Sequence, residues 1–169
     1  TAYDQPALGG VYKLGAIRPK GGDWAHRVKL SEQAIKTSIP GILQVRRFET
    51  ADGYVADMIF DELTGPGDDH QLIDPKNPAR RRAIDVDGRF RDLLVPLTPD
   101  GKVCYEDEPP PRIRERTKAE LAKVHPATRP FFNPHAYPVG LAPAPHDLRA
   151  RVIRRARDPT PGHSDTDGN

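Results

Sequence analysis

The sequence contains few of the residues that cross-link a chain or bind a metal through sulfur. Its 169 residues include one cysteine, Cys104, together with one methionine and one tryptophan. A single cysteine excludes an internal disulfide framework and any zinc site built from several thiolates. This composition fits a reducing compartment.

Long apolar runs and a large excess of charge of one sign are also missing. No stretch approaches the roughly 20 apolar residues that a membrane-spanning helix needs, and no segment resembles a signal peptide. The 26 Lys and Arg nearly balance the 24 Asp and Glu, and a formal net charge of +2 does not make nucleic acid the default partner. We therefore expect a cytoplasmic protein with no membrane partner and no nucleic-acid partner.

Large apolar residues are scarce, whereas proline and glycine are plentiful. Hydrophobic residues make up 36% of the chain, which also contains 19 Pro and 14 Gly. The length suffices for one domain with a core, but turns and irregular connections must take up a large share of it.

The first third of the chain predicts β-structure with interruptions. The apolar run from Val11 to Ile17 indicates a buried strand, and "HRVKLS" indicates a short alternating one. The clearest unit is "GILQVRRFETADGYVADMIFDEL", in which a turn containing Asp52 and Gly53 favours a hairpin, because glycine accepts positive φ. The apolar residues on one face of its second strand are Tyr54, Ala56, Met58 and Phe60.

The composition changes after this hairpin. Residues 64–89 have few large apolar groups, so we expect a long surface excursion with a short strand around Ile84 to Val86. A further strand pair is expected in "RDLLVPL" and "KVCY", with a turn at Pro99 to Gly101 between them. Cys104 is then a core residue of the second of these strands.

Two helices are expected toward the carboxy terminus. Pro109 to Pro111 suit the first turn of a helix from about Arg112 to Val124, and a second helix is expected from about Pro145 to Arg157. The narrow apolar stripe of the first helix consists of Ile113, Thr117, Leu121 and Val124.

The segments next to the second helix differ in how much they can bury. The proline-rich "HPATRPFFNPHAYPVGL" should form an ordered loop that Phe131, Phe132 and Tyr137 hold onto a surface. Residues 158–169 have almost nothing to bury, so we expect a disordered tail.

Direct signals for chemistry are weak. Asp68, Asp69 and His70 could ligate a metal, but adjacent residues in a Gly-flanked loop are more often a solvated turn, so we expect no metal site. The arginines of the last helix could contact RNA or a membrane surface, although such a face is usually only solvated. The dispersed cations Lys13, Arg27, Lys29 and Lys36 would make a site for a phosphorylated or carboxylated ligand if the fold gathered them on one side.

Five phrases of the sequence occur in the order that is typical of one enzyme family. They are "DQPALGGVYKL", "VKLSEQAIKTSIPG", "RDLLVPLTPDGKVCYE", "RIRERTKAELAKV" and "NPHAYPVGL". From Thr1 to about Arg157, the chain resembles the carboxy-terminal portion of nicotinate phosphoribosyltransferase. The resemblance implies an α+β fold: the strand-rich carboxy-terminal segment, residues 1–157, of a type II phosphoribosyltransferase, which in full has an α/β barrel and a mixed domain.

The resemblance also implies an activity for the complete enzyme. The family condenses nicotinate with phosphoribosyl pyrophosphate to nicotinate mononucleotide in NAD salvage, uses Mg²⁺ and ATP, and commonly forms homodimers. In the family's order, the phosphorylated histidine and the glycine-rich phosphate loop precede the point where this chain begins. We therefore expect no catalytic residue and no Mg²⁺ or ATP ligand here, but a fragment that supplies scaffold and dimer surface and is inactive alone.

Three retained residues, Lys29, Ser31 and Lys36, are the candidate substrate-binding residues, although Ser and Lys beside a Pro-Gly turn are also ordinary turn chemistry. The chain departs from the family pattern at Ile35, where an acidic residue is common, and at Leu43, where members tend to carry a Lys. Two alternatives stay open: a stand-alone basic module that binds nucleotide or RNA, and a non-catalytic partner of a separate catalytic chain.

Overall fold

A computed structural model of the chain describes residues 10–31, 36–85 and 89–157. The chain divides into two compact units. One is formed by Thr1–Gly41 together with Leu148–Asn169, and the other by Ile42–Asp147.

The first unit contains a small antiparallel sheet. Its strands are β1 (Ala16–Ile17) and β2 (Ala25–His26). Between them the chain turns sharply, with the backbone N–H of Gly22 donating to the carbonyl oxygen of Pro19 over 3.0 Å. Proline and glycine at this turn keep both strands short.

The longer strands predicted for this unit are wrong. Of the expected strand Val11–Ile17 only the last two residues pair, and Val11 is 86% exposed. The carbonyl oxygen of Gly15 instead accepts hydrogen bonds from the backbone N–H groups of Arg27 and Gly41, which lie in irregular segments. "HRVKLS" likewise leaves the sheet after His26.

The second unit is built on a sheet that, within its described residues, has six strands in the order β6-β5-β8-β4-β3-β7. The strands are β3 (Leu43–Thr50), β4 (Gly53–Asp61), β5 (Gln71–Ile73), β6 (Arg81–Ala83), β7 (Phe90–Asp92) and β8 (Val139–Leu141). All neighbours are antiparallel except β4 and β8, which run parallel. The unit is therefore of the mixed α+β kind that the sequence predicts.

The predicted hairpin is confirmed as the centre of this sheet. Strands β3 and β4 pair along their length with a register shift between Phe48 and Glu49. Ala56, Met58 and Phe60 of β4 face the core as its alternation predicts, whereas Tyr54 is buried outside this cluster. The buried residues that pack in this core are Phe48, Ala56, Met58, Phe60, Leu72, Ile84 and Ala142. Val55 is half-buried and packs against this core, and on the opposite face of β4 Ile59 is also half-buried.

Strand β8, which the sequence pattern does not predict, lies between β4 and β5. It is only three residues long, and its middle residue is Gly140. A Cβ at this position would lie 2.9 Å from the Cβ of Leu72 and 3.1 Å from the backbone nitrogen of Ile73. The glycine is needed here because β5 approaches the strand too closely for a side chain.

Residues 64–89 are not simply a surface excursion, which corrects that prediction. The segment supplies β5 and the edge strand β6, and Leu72 and Ile73 are 4% and 1% exposed. Two adjacent apolar residues are enough to anchor a strand as short as β5 in the sheet beside β8. The strand expected around Ile84 is absent at that residue, and Val86 lies outside the described residues.

The strand pair predicted for residues 91–105 is also wrong. Strand β7 ends at Asp92, residues 99–101 form a 3₁₀ turn, and none of the residues from 93 to 105 lies in a strand. Pro96 removes a backbone donor from the ladder, and a single backbone–backbone hydrogen bond, from Cys104 N to Leu97 O, links the two runs. Cys104 is exposed rather than part of the core, and its thiol donates to the carbonyl oxygen of Pro96 over 2.9 Å.

Both predicted helices are present as α1 (Pro110–Ala122) and α2 (Pro143–Arg157). The apolar stripe of α1 is not buried: Ile113 is 38% and Leu121 54% exposed. Among the described residues, no helix is long and apolar enough to cross a membrane.

Phe131 and Phe132 do not hold the proline-rich loop down as expected. They are 91% and 80% exposed and contact each other edge to face. Tyr137 does hold this loop in place, because its side chain is half-buried and its hydroxyl donates to the carboxylate of Asp57. The expected disordered tail, residues 158–169, lies outside the described residues.

Replacing Gly53 by alanine should destabilise the second unit strongly. Gly53 has φ +128°, and a Cβ there would lie 2.2 Å from the carbonyl oxygen of Lys123. We expect Gly53→Ala to lower the free energy of unfolding by about 2 to 4 kcal/mol. Denaturant unfolding measures this loss.

Gly65→Ala is the matched control for this substitution. Gly65 also has positive φ, +72°, but nothing lies within 4 Å of the position that a Cβ would occupy there. The backbone penalty alone should cost about 1 kcal/mol. Equal losses in the two variants would contradict the importance of the close approach to Lys123.

Candidate functional site

The predicted substrate-binding residues lie in the first unit. Lys29 and Lys36 are exposed and Ser31 is half-buried. Lys29 N donates to the hydroxyl of Ser38 over 2.7 Å, and the ammonium group of Lys13 donates to the carbonyl oxygen of Lys36 over 2.8 Å. The fold thus connects these segments through hydrogen bonds between side chains and backbone groups, and the assignment of Lys29, Ser31 and Lys36 to substrate stays a prediction.

The structure describes one of the two residues at which the chain departs from the family pattern. Leu43 is the half-buried first residue of β3 and pairs with Asp61 of β4, so it has a structural place in the hairpin. Ile35 lies outside the described residues.

A buried polar cluster in the second unit is centred on Arg47 and Asp57. These residues are directly opposite each other on β3 and β4. The guanidinium of Arg47 donates two hydrogen bonds to the carboxylate, of 2.9 and 2.7 Å, and the hydroxyl of Tyr137 donates a third of 2.9 Å. Asp57 is 7% exposed, so this planar two-bond geometry compensates the burial of its charge.

A second cluster joins helix α1 to the hairpin. The hydroxyl of Tyr54 donates to the carboxylate of Glu120, and Arg91 of β7 donates to both Tyr54 and Glu120. The backbone N–H of Tyr54 donates to Lys123 O over 2.9 Å just beyond the helix. These contacts fix the carboxy-terminal end of α1 against the hairpin turn.

Cations surround the ring of Tyr54. The guanidinium carbons of Arg47 and Arg91 lie 4.6 and 5.4 Å from its centroid, and the ammonium nitrogen of Lys123 lies 5.5 Å away. The negative face of an aromatic ring attracts such groups at these distances. The two clusters therefore form one network around Tyr54.

The protonation states in the network follow from burial and charge. Desolvation raises the pKa of Tyr54 and of Tyr137, so both phenols stay protonated at neutral pH. Hydrogen bonds from Tyr54 and Arg91 lower the pKa of Glu120, and the hydrogen-bonded Asp57 carboxylate raises the pKa of Arg47. With protonated phenols and ionised partners, the network positions groups and offers no basic nucleophile.

A cleft of about 330 Å³ adjoins this network. The residues that line it come from the hairpin turn, from β6 and from the segment after α1: Thr50, Asp52, Gly53, Tyr54, Val55, Arg82, Lys123, His125, Thr128, His135, Ala136, Tyr137 and Pro138. Its basic and imidazole side chains outnumber its one carboxylate, that of Asp52. The cleft is suited to an anionic ligand.

Local hydrogen bonds shape the wall of the cleft that contains the two histidines. His125 caps a 3₁₀ turn, Pro126–Thr128, by accepting the backbone N–H of Ala127 at Nδ1 over 3.1 Å. The backbone N–H of His135 donates to Ala127 O over 2.8 Å. In neutral His125 the proton is therefore on Nε2, which leaves that atom as a donor.

Sequence reasoning did not identify this cleft. Nothing in the spacing of Arg82, His125 and His135 places these side chains together. The one feature of the sequence that indicates part of the cleft is the predicted turn at Asp52 and Gly53, which forms one rim of it. The predicted absence of a metal site at Asp68, Asp69 and His70 stays a prediction; within the described residues no group of three or more His, Cys, Asp or Glu could hold an ion.

Comparisons with known proteins agree on one family. The family described as "Nicotinate phosphoribosyltransferase C-terminal domain" matches residues 44–149, which is nearly the whole second unit, Ile42–Asp147. The chain therefore belongs to the family of nicotinate phosphoribosyltransferase carboxy-terminal domains.

Individual relatives extend the similarity into the first unit. The chain is 27% identical over 148 residues to nicotinate phosphoribosyltransferase of Bacillus subtilis (strain 168), covering 84% of this chain and 29% of the relative. It is 29% identical over 161 residues to nicotinate phosphoribosyltransferase 1 of Arabidopsis thaliana, covering 88% and 26%. The chain thus spans less than a third of the length of these relatives.

A solved structure shares the fold. The crystal structure of human nicotinic acid phosphoribosyltransferase matches with a TM-score of 0.61 at 18% identity, over 79% of this chain and 27% of that chain. The strand-rich α+β fold therefore corresponds to part of that larger enzyme.

Asp57→Asn should destabilise the second unit, because it removes the charge that Arg47 needs. The side chain of Asp57 is 10% exposed, and its carboxylate accepts hydrogen bonds from both Arg47 and Tyr137. We expect the disruption of this buried set to cost about 3 kcal/mol in the free energy of unfolding. Chemical denaturation of the variant and the wild type measures the difference.

Asp92→Asn provides a matched control on the neighbouring strand. Arg46 and Asp92 form the same two-bond geometry, but the carboxylate is 37% exposed and the guanidinium lies 4.0 Å from the centroid of Phe90. We expect a loss of about 1 kcal/mol or less. A larger loss for Asp92→Asn than for Asp57→Asn would contradict our account of the buried pair.

Glu120→Gln should reduce stability in a pH-dependent way. The folded-state pKa of Glu120 lies below the ordinary 4.5, so its stabilising effect is fully present above about pH 4.5 and is lost as the pH falls through the folded value. We expect the wild type to melt above the variant near neutral pH and the gap to shrink near pH 3.

Thermal unfolding across this pH range checks the expectation, with Glu115→Gln as the control. Glu115 is an exposed carboxylate on the same helix and contributes little to the melting temperature. A gap between wild type and Glu120→Gln that stays constant from pH 7 to pH 3 would rule out an ionised Glu120 as its source.

Proposed function

We propose that this chain is the carboxy-terminal portion of a nicotinate phosphoribosyltransferase. That enzyme condenses nicotinate with phosphoribosyl pyrophosphate to nicotinate mononucleotide and pyrophosphate in NAD salvage. The observation that supports the proposal most is the coincidence of the family match, 44–149, with the compact unit Ile42–Asp147. The named relatives in Bacillus and Arabidopsis are phosphoribosyltransferases themselves.

The chemistry of this reaction is supplied, in our proposal, by the rest of the enzyme. ATP and Mg²⁺ assist the condensation and are held outside this chain, and the complete protein works in the cytoplasm. The network around Tyr54 fits a supporting role, because its phenols are protonated and its charges are paired. Lys29, Ser31 and Lys36 are the proposed points at which this chain approaches substrate.

The second unit, in this proposal, acts as scaffold and packs against the rest of the enzyme or a second subunit of a homodimer. The segment from 94 to 105 supports this role, because its exposed apolar residues form a dense group in the sequence. They are Leu94 (54% exposed), Val95 (67%), Leu97 (53%), Val103 (75%) and Tyr105 (51%). Leu121 of α1 adds a further exposed apolar side chain.

A chimaeric enzyme tests the proposal. The segment of the Bacillus subtilis relative that matches this chain is replaced by the 169 residues, and formation of nicotinate mononucleotide from nicotinate, phosphoribosyl pyrophosphate and ATP is measured. We expect turnover from the chimaera, none from the relative without its matching segment, and none from this chain alone. Turnover by this chain alone would overturn the assignment of catalysis to the rest of the enzyme.

Two substitutions in the chimaera separate the scaffold role from a general effect on folding. Val95→Asp places a charge in the apolar segment and should abolish assembly or lower turnover at least tenfold, because an unpaired charge is costly to bury. Leu63→Asp changes a residue of the same unit that is 50% exposed and lies outside the segment, and should have little effect. Equal turnover in both variants would remove the 94–105 segment from the proposed interface.

A further inference from the structure

We propose that the cleft beside the β3–β4 turn binds the phosphate group of a small molecule. It lies wholly within the second unit, and its basic groups come from two separate parts of the chain: Arg82 from β6, and Lys123, His125 and His135 from the segment after α1. Sites of this composition recognise phosphate through charge-assisted hydrogen bonds.

The two cations of the cleft are available to a ligand. Within residues 10–31, 36–85 and 89–157, no carboxylate forms an ion pair with Arg82, which is exposed on the edge strand. The ammonium group of Lys123 is 4.0 Å from the carboxylate of Glu49, at the limit of an ion pair, and its side chain is 48% exposed. A dianionic phosphate would compete well with so loose a partner.

His125, one of the two histidines of the cleft, retains a free ring donor when it is neutral. Because Nδ1 of His125 accepts the N–H of Ala127, neutral His125 has its proton on Nε2. The hydroxyl of Thr128 donates to His125 O over 2.7 Å and so holds the turn that positions this ring. A donor on a ring held in this way loses little side-chain entropy when a ligand binds.

The size of the cleft favours a phosphate ester over a macromolecule. Its volume of about 330 Å³ falls at the lower end of the range of about 300 to 1,000 Å³ that small-molecule sites occupy. The balanced net charge of +2 does not provide the extended basic surface that nucleic acids require. A small phosphomonoester, or inorganic phosphate itself, is the ligand class that fits.

Calorimetry and two-dimensional NMR of the 169-residue chain test the proposal. The probes are inorganic phosphate and glycerol 3-phosphate, with glycerol as the uncharged control. We expect saturable binding of both phosphates and none of glycerol, with the largest amide shifts at Tyr54, Ala127 and His135. Tighter binding of glycerol 3-phosphate would identify an ester as the ligand, and equal binding would identify phosphate itself.

Charge-matched variants decide whether the cleft is the site. Arg82→Gln removes a cation that lines it, whereas Arg81→Gln removes a cation of the same strand that does not line it. We expect Arg82→Gln to weaken binding about tenfold, as loss of one charge-assisted hydrogen bond would, and Arg81→Gln by less than about twofold. Both side chains are exposed, so both variants should keep the wild-type melting temperature.

A third variant, with Asp52 replaced, should change the affinity for phosphate in the opposite direction. Asp52 is the one carboxylate among the lining residues, and its removal should strengthen phosphate binding, because it lowers the local negative charge. Equal weakening by Arg81→Gln and Arg82→Gln, or no saturable binding of either phosphate, would overturn the proposal. These outcomes do not depend on the chimaeric assay, so failure of one proposal leaves the other standing.

Discussion

Asp57, which is paired with Arg47 across the hairpin, connects parts of the second unit that are distant in sequence. The two residues set the register of β3 against β4, and Asp57 also receives the hydroxyl of Tyr137, 80 residues later. The backbone N–H of Asp57 donates to Pro138 O over 3.0 Å, so the same residue guides the chain into β8. An ion pair in this position specifies which segments meet, and it does so at a desolvation cost that apolar residues would not incur.

The hairpin could be predicted from the sequence because its determinants are local. A glycine with positive φ stands at the turn, and alternating apolar residues follow it, so both the register and the buried face are encoded within twenty residues or so. Strand β8 could not be predicted in this way. It has three residues, follows a proline-rich loop and pairs in parallel with a strand that precedes it by about 80 residues.

The candidate site was less predictable than the fold around it. The alternation predicts a buried Tyr54 on the face of Ala56, but a register shift between Phe48 and Glu49 precedes it, and Tyr54 lies outside that core cluster. Nothing in the sequence indicates that its hydroxyl meets Glu120, which is 66 residues away. The helix α1 was predicted from its prolines, yet its apolar stripe is exposed while Glu120 provides the contact. Periodicity reports which residues could share a face, and it does not report whether another element covers that face.

The loop that forms the histidine wall of the cleft is held at both of its ends. It leaves α1 at Lys123, whose carbonyl oxygen is bonded to Tyr54, and it enters β8, which is inserted between β4 and β5. Wide opening of this loop would require separation of β8 from two neighbours in the middle of the sheet, which amounts to partial unfolding of the core. The backbone of this wall is therefore fixed at its two ends by the sheet, so a ligand could enter or leave the cleft without separating the strands.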